Sequence, residues 1–305
     1  MRMAILKSAG VKRAGMGSRE RQSPGSSTAP RPFLKWAGGK TAIYAHLRKF
    51  LTPISPGGTY FEPFLGGGAV FFALSPAKAV LSDRNKALIV AYQLVKDEPE
   101  SLVRALSELG LPRGEAEYYR ARSKFNRLLA KVGVLDREES VTFAAMFVWL
   151  NHLCFNGLYR VNRKGEFNVP YGFYQNPYIF DKGLLIEDSR ALANATVACS
   201  DYEEALSSAQ EGDLAYLDPP YDPISESSTF TSYTPTGFGF EEQERLARVV
   251  RELVGRGVRV VLSNSPSKRV RELYRGFRVE VVNAPRTINS VGSKRGPVEE
   301  LVVVA

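Results

Sequence analysis

Leu214-Ala215-Tyr216-Leu217-Asp218-Pro219-Pro220-Tyr221 runs from an apolar strand into an acid, two prolines and an aromatic residue. Two consecutive prolines stop a sheet ladder and fix φ, so the Asp218 carboxylate and the Pro219 carbonyl can be presented rigidly at the strand's carboxyl end. That is the end at which open α/β sheets bind ligands. Two neighbouring acceptors suit an exocyclic amine: each takes one N–H, and holding both draws the nitrogen lone pair out of conjugation with its ring and towards an electrophile. Tyr221 is then placed to stack on a flat base. The same residues also read as an ordinary strand-to-loop exit in which Asp and Pro are turn formers. The tetrapeptide alone does not decide between the two.

A second candidate is Tyr60-Phe61-Glu62-Pro63-Phe64-Leu65-Gly66-Gly67-Gly68-Ala69-Val70-Phe71, with the form of a strand, a glycine-rich turn and a helix start. Glycines there allow a ligand to approach the backbone, and the first N–H groups of the helix point at it. Triple glycine is often only a turn. Asp83 strengthens the signal: it lies 83 − 62 = 21 residues after Glu62, at the end of the next predicted strand, where an acid can accept hydrogen bonds from both hydroxyls of a ribose. A nucleoside-containing cofactor is therefore favoured. A role for Asp83 as N-cap of a helix beginning near Asn85 is compatible with it.

Such acids need a sheet to hold them. From Phe33 onward short apolar runs alternate with helical stretches, which predicts an α/β domain. Strands are expected at 59–61, 78–82, 196–199, 213–217, 258–262, 278–282 and 301–304, and helices at 68–74, 85–96, 202–209, 240–255 and 267–274. Between them, 99–109, 115–129 and 138–153 carry apolar positions at helical spacing, and 154–180, rich in Asn, Gly and Tyr, predicts an irregular loop with a short hairpin around Lys164-Gly165. The pattern is one sheet domain built from two ends of the chain, 31–96 and 191–305, interrupted by an insertion at 97–190. Residues 1–30 hold six basic residues, one acid and a polar Ser/Pro/Gly run, the composition of a mobile basic arm.

With 41 Lys+Arg against 32 Asp+Glu the net charge is +9, which suggests a polyanionic partner. A composition of 44% hydrophobic and 24% charged residues excludes wholesale disorder. The most apolar stretch, Val141 to Leu150, is about half the roughly 20 residues of a membrane span, so no membrane association is expected. Two cysteines, Cys154 and Cys199, give neither a zinc pattern nor a disulfide framework. With only two histidines, no metal site is expected, and a reducing cytoplasm is the default location.

Taken together, Asp218-Pro219-Pro220-Tyr221, Phe61-Glu62-Pro63-Phe64-Leu65-Gly66-Gly67-Gly68 and Phe33-Leu34-Lys35-Trp36-Ala37-Gly38-Gly39-Lys40 resemble the Dam-type family of S-adenosylmethionine-dependent DNA adenine-N6 methyltransferases. The motif order matches the family's alpha arrangement, and the resemblance extends over roughly residues 31–304. It implies a seven-stranded, Rossmann-like methyltransferase sheet with an inserted helical target-recognition domain. S-adenosylmethionine would be the cofactor, double-stranded DNA the partner and no metal would be required. A monomer, associated with the nucleoid when bound to DNA, is expected.

Residue by residue, the resemblance places Trp36, Lys40, Glu62, Phe64, Gly66, Gly68, Asp83, Asp201 and Asp218 at the cofactor. Lys40 would meet its methionine carboxylate, Asp83 its ribose and Asp201 its adenine, although Asp201 also reads as a helix N-cap. Asp218, Pro219, Pro220 and Tyr221 would be catalytic. Residues 156–162 and 165–172 match the family's recognition hairpin, with Arg160 suited to a bidentate contact on a guanine edge. Lys35, Asn156, Leu158, Pro170 and Tyr174 join it on the DNA side, Phe155 would wedge into the stack left by an extruded base, and Arg286 would contact backbone near the target strand. Arg160, Arg163 and Lys164 also read as phosphate clamps, and His152 as a packed residue. The hairpin points to a GATC-like site, although Gln175-Asn176-Pro177 replaces an expected basic residue. The alternatives are a cytosine-N4 enzyme, whose tetrapeptide usually begins with Ser; a protein glutamine methyltransferase, which would call for Asn at 218; and a non-catalytic DNA-binding module.

Overall fold

The computed structural model describes residues 29–112, 114–222, 238–285 and 297–305. In chain order the strands are Tyr60–Glu62 (β1), Ala79–Ser82 (β2), Ala195–Ala198 (β3), Leu214–Leu217 (β4), Arg259–Asn264 (β5), Arg278–Pro285 (β6) and Pro297–Val304 (β7). They form one seven-stranded sheet in the order β3-β2-β1-β4-β5-β7-β6. β1 to β5 are parallel and β7 pairs antiparallel with both β5 and β6. Both β1 and β4 are buried at every position, as central strands of a parallel sheet covered on two faces must be. The chain leaves β1 towards β2 and β3, then returns to build β4 and β5 on the other side. The strand order therefore reverses between β1 and β4, and a crevice opens at such a reversal.

The helices are Tyr44–Leu51 (α1), Ala69–Leu74 (α2), Lys86–Asp97 (α3), Pro99–Leu109 (α4), Glu115–Leu129 (α5), Arg137–Leu153 (α6), Lys182–Leu192 (α7), Tyr202–Ala205 (α8), Phe240–Gly255 (α9) and Lys268–Leu273 (α10). α6 starts with a capping box, Asp136 accepting from Glu139 N (2.8 Å) while Glu139 accepts from Asp136 N (3.4 Å). Every residue from Phe143 to Leu153 is buried, so α6 is a core helix, apolar on all sides because α3, α4 and α5 surround it. These helices share one apolar cluster with α1, α2 and the sheet face bearing Tyr60 and Leu81, while α9 and α10 cover the opposite face. None of the helices of the described residues is long and apolar enough to cross a membrane.

The predicted elements are present with small shifts, except that α8 stops at Ala205, where a helix to 209 was expected, and that α1 and α7 were not foreseen. The expected basic arm falls almost wholly on residues 1–28, outside the described residues. The same holds for 286–296, with Arg286, Lys294 and Arg295.

Candidate active site and recognition face

Lys40 and Asp218 meet at the sheet's reversal point. Lys40 follows the loop of Trp36 and is 5% exposed; its Nζ lies 2.8 Å from Asp218 Oδ2, donates to Gly38 O (2.7 Å) and sits 5.0 Å from the centre of the Tyr221 ring. Asp218 stands at the carboxyl end of β4, next to β1. Burial pushes its carboxyl up, while the Lys40 ammonium and its hydrogen bond hold it down. Glu62, at the end of β1, is the second acid of this crevice and is buried. It accepts from Tyr60 Oη (2.7 Å). Burial raises it to about 8, the Tyr60 hydrogen bond opposing and the Asp218 charge adding to the rise.

Glu62 thus keeps its proton in the fold over a range in which the unfolded chain has lost it. Its ordinary value is 4.5 and its folded value about 8, so its contribution to stability falls as pH rises between these limits, at most by about 1.4 kcal/mol per pH unit. Glu62→Gln, which keeps the acceptor for Tyr60, removes that loss. In urea unfolding the variant gains on the parent protein by about 1–3 kcal/mol between about pH 5 and pH 8; parallel pH profiles would contradict the buried, protonated state.

The glycine-rich turn is built by close approach. Gly66 (φ +48°) lies under Trp36, whose Cδ1 would be 2.8 Å from an added Cβ, and Gly68 (φ +66°) caps α2, with Tyr92 Oη 2.6 Å from an added Cβ. Asp83, after β2, accepts from Gly66 N (3.0 Å) and Asn85 N (2.9 Å) and so ties the turn to the next strand. The helix cap considered for Asp83 belongs to Asn85, which accepts from Leu88 N. Phe64 packs on Tyr202 (5.3 Å) and Phe238 (5.8 Å). Asp201 lies farther out, after β3. It caps α8 through Glu203 N and is paired with Arg245 (2.9 Å) and, at 3.9 Å, with Arg84. Arg245 also binds Glu203 and Glu242, so Asp201 is already engaged in an ion-pair network.

The residues expected at DNA, other than Arg286, which lies outside the described residues, group around the end of α6 and the segment that follows it. Asn151 of α6 accepts from Lys35 N (2.8 Å) and donates to Lys35 O (2.8 Å) and Gly157 O (3.2 Å), fixing the Lys35 backbone. Lys35 Nζ reaches His152 O (3.0 Å) and lies 4.4 Å from the Tyr174 ring centre. Gly157 (φ +62°) has no room for a side chain, since Lys35 Cβ would be 2.3 Å from an added Cβ. Phe155 N donates to Pro170 O (2.9 Å) and Tyr174 Oη to Cys154 O (3.1 Å). Phe155, 48% exposed, and Asn156 therefore stand beside Pro170 and Tyr174. The predicted hairpin is present: Val161 bridges Phe167 and the turn closes through Gly165 N to Asn162 O (2.9 Å). Leu158 is half-buried at its base and Arg160 exposed, with Arg160 Nε donating to Asn168 Oδ1 (2.8 Å). Arg163 and Lys164 are exposed at its tip. His152 is packed, its Nε2 donating to Phe33 O (2.9 Å), and burial lowers it to about 4.

Sequence reasoning missed several neighbours of these groups. Asn151 and Gln243 are polar residues inside apolar helix stripes, and that interruption was the available signal. Glu300 of β7 is pushed up by burial, with the Lys40 ammonium opposing and the Asp218 charge adding to the rise. It joins the same acid cluster from the other end of the chain, and no local pattern marks it. Among the described residues no group of three or more His, Cys, Asp or Glu could hold a metal.

A carboxylate held by a buried ammonium, beside a turn stripped of side chains, can accept hydrogen bonds from a neutral amine without needing to be a strong base. The comparisons point the same way. Residues 36–288 match the family described as D12 class N6 adenine-specific DNA methyltransferase. The type II methyltransferase M1.LlaDCHI of Lactococcus lactis subsp. cremoris is 43% identical over 275 residues, covering 90% of this chain and 94% of its own. The type II methyltransferase M.MjaIII of Methanocaldococcus jannaschii is 42% identical over 280 residues, 87% and 95% of the two chains. The DNA adenine methylase of Escherichia coli K12 is 35% identical over 276 residues, 90% and 95% of the two chains.

Proposed function

The chain belongs to the D12 class of N6 adenine-specific DNA methyltransferases, and on that premise we propose that it methylates an adenine extruded from double-stranded DNA at a GATC-like site, with S-adenosylmethionine as donor. The observation that carries the reading is the Lys40–Asp218 pair, 2.8 Å apart where the strand order reverses. It joins the loop 36–40, whose Trp36 lies against Gly66, to the tetrapeptide in one crevice. The crevice fits the donor: Asp83 lies beside the glycine-rich turn, tied to Gly66 N, for the ribose, and Lys40 offers an ammonium for the methionine carboxylate. Trp36, Glu62 and Phe64 complete that wall. Asp201 would take the adenine from within its ion-pair network. When bound, the donor supplies an electrophilic methyl group.

The protein's own part is positioning. Asp218 and the Pro219 carbonyl each accept one N–H of the target amine, freeing the nitrogen lone pair, and Tyr221 stacks on the base. Asp218 need not be a strong base, because the N6 proton becomes acidic only once the methyl is attached. Lys35, Asn156, Leu158, Pro170 and Tyr174 grip the site, Phe155 fills the gap in the stack and Arg286 steadies the backbone. We assign the sheet segments 31–96 and 191–305 to catalysis, 97–190 to target recognition and 1–30 to a basic arm, in a monomeric, cytoplasmic enzyme.

Methyl transfer from labelled S-adenosylmethionine to duplex DNA, followed by nucleoside analysis, is expected to yield N6-methyladenine. Plasmid from an expressing host should resist digestion blocked by GATC methylation; full digestion with N6-methyladenine present elsewhere would overturn the site assignment alone. Asn168 occupies Arg160 Nε, leaving both Nη groups for a guanine edge. Arg160→Ala should therefore lower discrimination at that base by about 1–3 kcal/mol. A uniform loss on all sequences would make Arg160 a phosphate clamp.

A further inference from the structure

Neither Pro219 nor Pro220 has a backbone N–H, so two of the tetrapeptide's four residues cannot be held by donating to a neighbouring strand. Their carbonyls are the remaining handles, and the fold grips one of them. Gln243, fully buried on the inner face of α9, donates from Nε2 to Pro220 O (2.9 Å). Its Oε1 accepts from Nδ2 of Asn264 (2.9 Å), which is itself fully buried at the end of β5 and accepts at Oδ1 from Ser265 N (2.8 Å). The direction of this relay is unambiguous. A carbonyl only accepts and a backbone N–H only donates, so a flip of either amide would set like groups against each other. One residue beyond the tetrapeptide a second tie follows, Ser267 Oγ donating to Asp222 Oδ2 (3.0 Å). Lys40 holds the tetrapeptide from the cofactor side, and the α9–β5 relay holds it from behind. The Pro219 carbonyl receives no hydrogen bond from the described residues.

We propose that Gln243, oriented by Asn264, is a positioning residue for methyl transfer: by fixing the Pro220 carbonyl inward it sets the Pro220–Tyr221 peptide plane and leaves the Pro219 carbonyl turned to the target amine. The proposal rests on the tetrapeptide's reading given above. Gln243 touches neither base nor donor, so its removal acts on the rate of the chemical step. A displacement of about 1 Å in such a site costs on the order of 10²-fold.

The test uses the full-length enzyme, duplex DNA and S-adenosylmethionine under single-turnover conditions. Gln243→Leu should lower the transfer rate constant by about 10–100-fold, with KM for DNA and for S-adenosylmethionine close to those of the parent. Gln243→Glu separates positioning from packing. While its buried carboxyl is protonated, its O–H can replace the lost donor, so activity is retained at low pH. Relative to the parent enzyme, the rate falls as pH rises and the carboxyl ionises. A folded Gln243→Leu with the parent's rate constant overturns the proposal, as does one whose loss lies wholly in KM. Should that variant fail to fold, the Gln243→Glu profile decides, and one parallel to the parent's overturns it. Asp218→Asn run alongside keeps the two readings apart. If it is inactive while both Gln243 variants match the parent, the relay alone fails; if it is fully active, the tetrapeptide's role fails first.

Discussion

Asp218→Asn is expected to lower the single-turnover rate of methyl transfer by about 10²–10³-fold with DNA affinity little changed. The substitution is nearly isosteric, so its effect is electrical. Lys40 Nζ lies 2.8 Å from Asp218 Oδ2, and an ammonium beside an amide NH2 is repelled. The amide therefore turns its oxygen to Lys40 and its NH2 to the incoming adenine, where a donor faces a donor. The variant also leaves the Lys40 ammonium without its countercharge, so a modest loss of stability accompanies the loss of rate. Quench-flow transfer assays and DNA titrations measure the two parts separately. Full turnover by this variant would remove Asp218 from the chemistry.

Lys40→Met has two effects that run in opposite directions with pH. Asp218 is already raised by burial, and Lys40 is the principal group opposing that rise. Without the ammonium the carboxyl rises further. Acceptance of amine hydrogens needs the ionised form, so activity fails first on the acid side and the acid limb of the rate profile moves to higher pH. Stability follows the contrary course. Below its ordinary value of 3.8 Asp218 is neutral in both states and the missing partner costs little. As pH rises from there towards the raised folded value, the unfolded chain ionises first and the variant's deficit grows. Removing one member of a buried pair typically costs about 3–5 kcal/mol, and the 20% exposure of Asp218 brings the figure to the lower end or below. Cofactor affinity should fall as well, which calorimetry with S-adenosylmethionine measures. Unfolding midpoints and initial rates across pH provide the check; a rate profile with an unmoved acid limb would refute the coupling.

The chemistry was legible in the sequence where neighbouring residues supply it together. Leu214 to Leu217 running into Asp218-Pro219-Pro220-Tyr221 announces a buried strand and its exit, and the Gly66 to Gly68 turn announces a close backbone approach. The apolar run in α6 announces a core helix. What escaped was set by tertiary contact. α7 was hidden because its packed face includes Asp188, a buried acid that accepts from Arg31 N (3.0 Å). α1 is short and has no side-chain cap. Asp201 was read as an acid after a strand, which it is, but its partner Arg245 lies on α9 and no spacing rule joins them. Gln243 and Asn151 interrupt apolar stripes, a pattern that becomes informative only once their partners are known to be the Pro220 carbonyl and the Lys35 backbone.

The pairing of β1 with β4 also bears on how the molecule comes to exist. Thr59 N donates to Asp213 Oδ1 (2.7 Å) across 154 positions, just before these two strands begin to pair. Closing so long a loop carries a large entropic cost before any contact offsets it. α3, α4, α5 and α6, by contrast, lie within residues 86–153 and pack largely on one another. As a ribosome delivers the chain from its amino end, the glycine-rich turn and the 161–167 hairpin emerge before β4 and the Asp218 that follows it. A nascent chain halted short of Leu214 has its glycine-rich turn and its 161–167 hairpin but not the crevice in which Lys40 meets Asp218. The centre of the sheet, and with it the capacity to mark DNA, is completed among the last steps of synthesis.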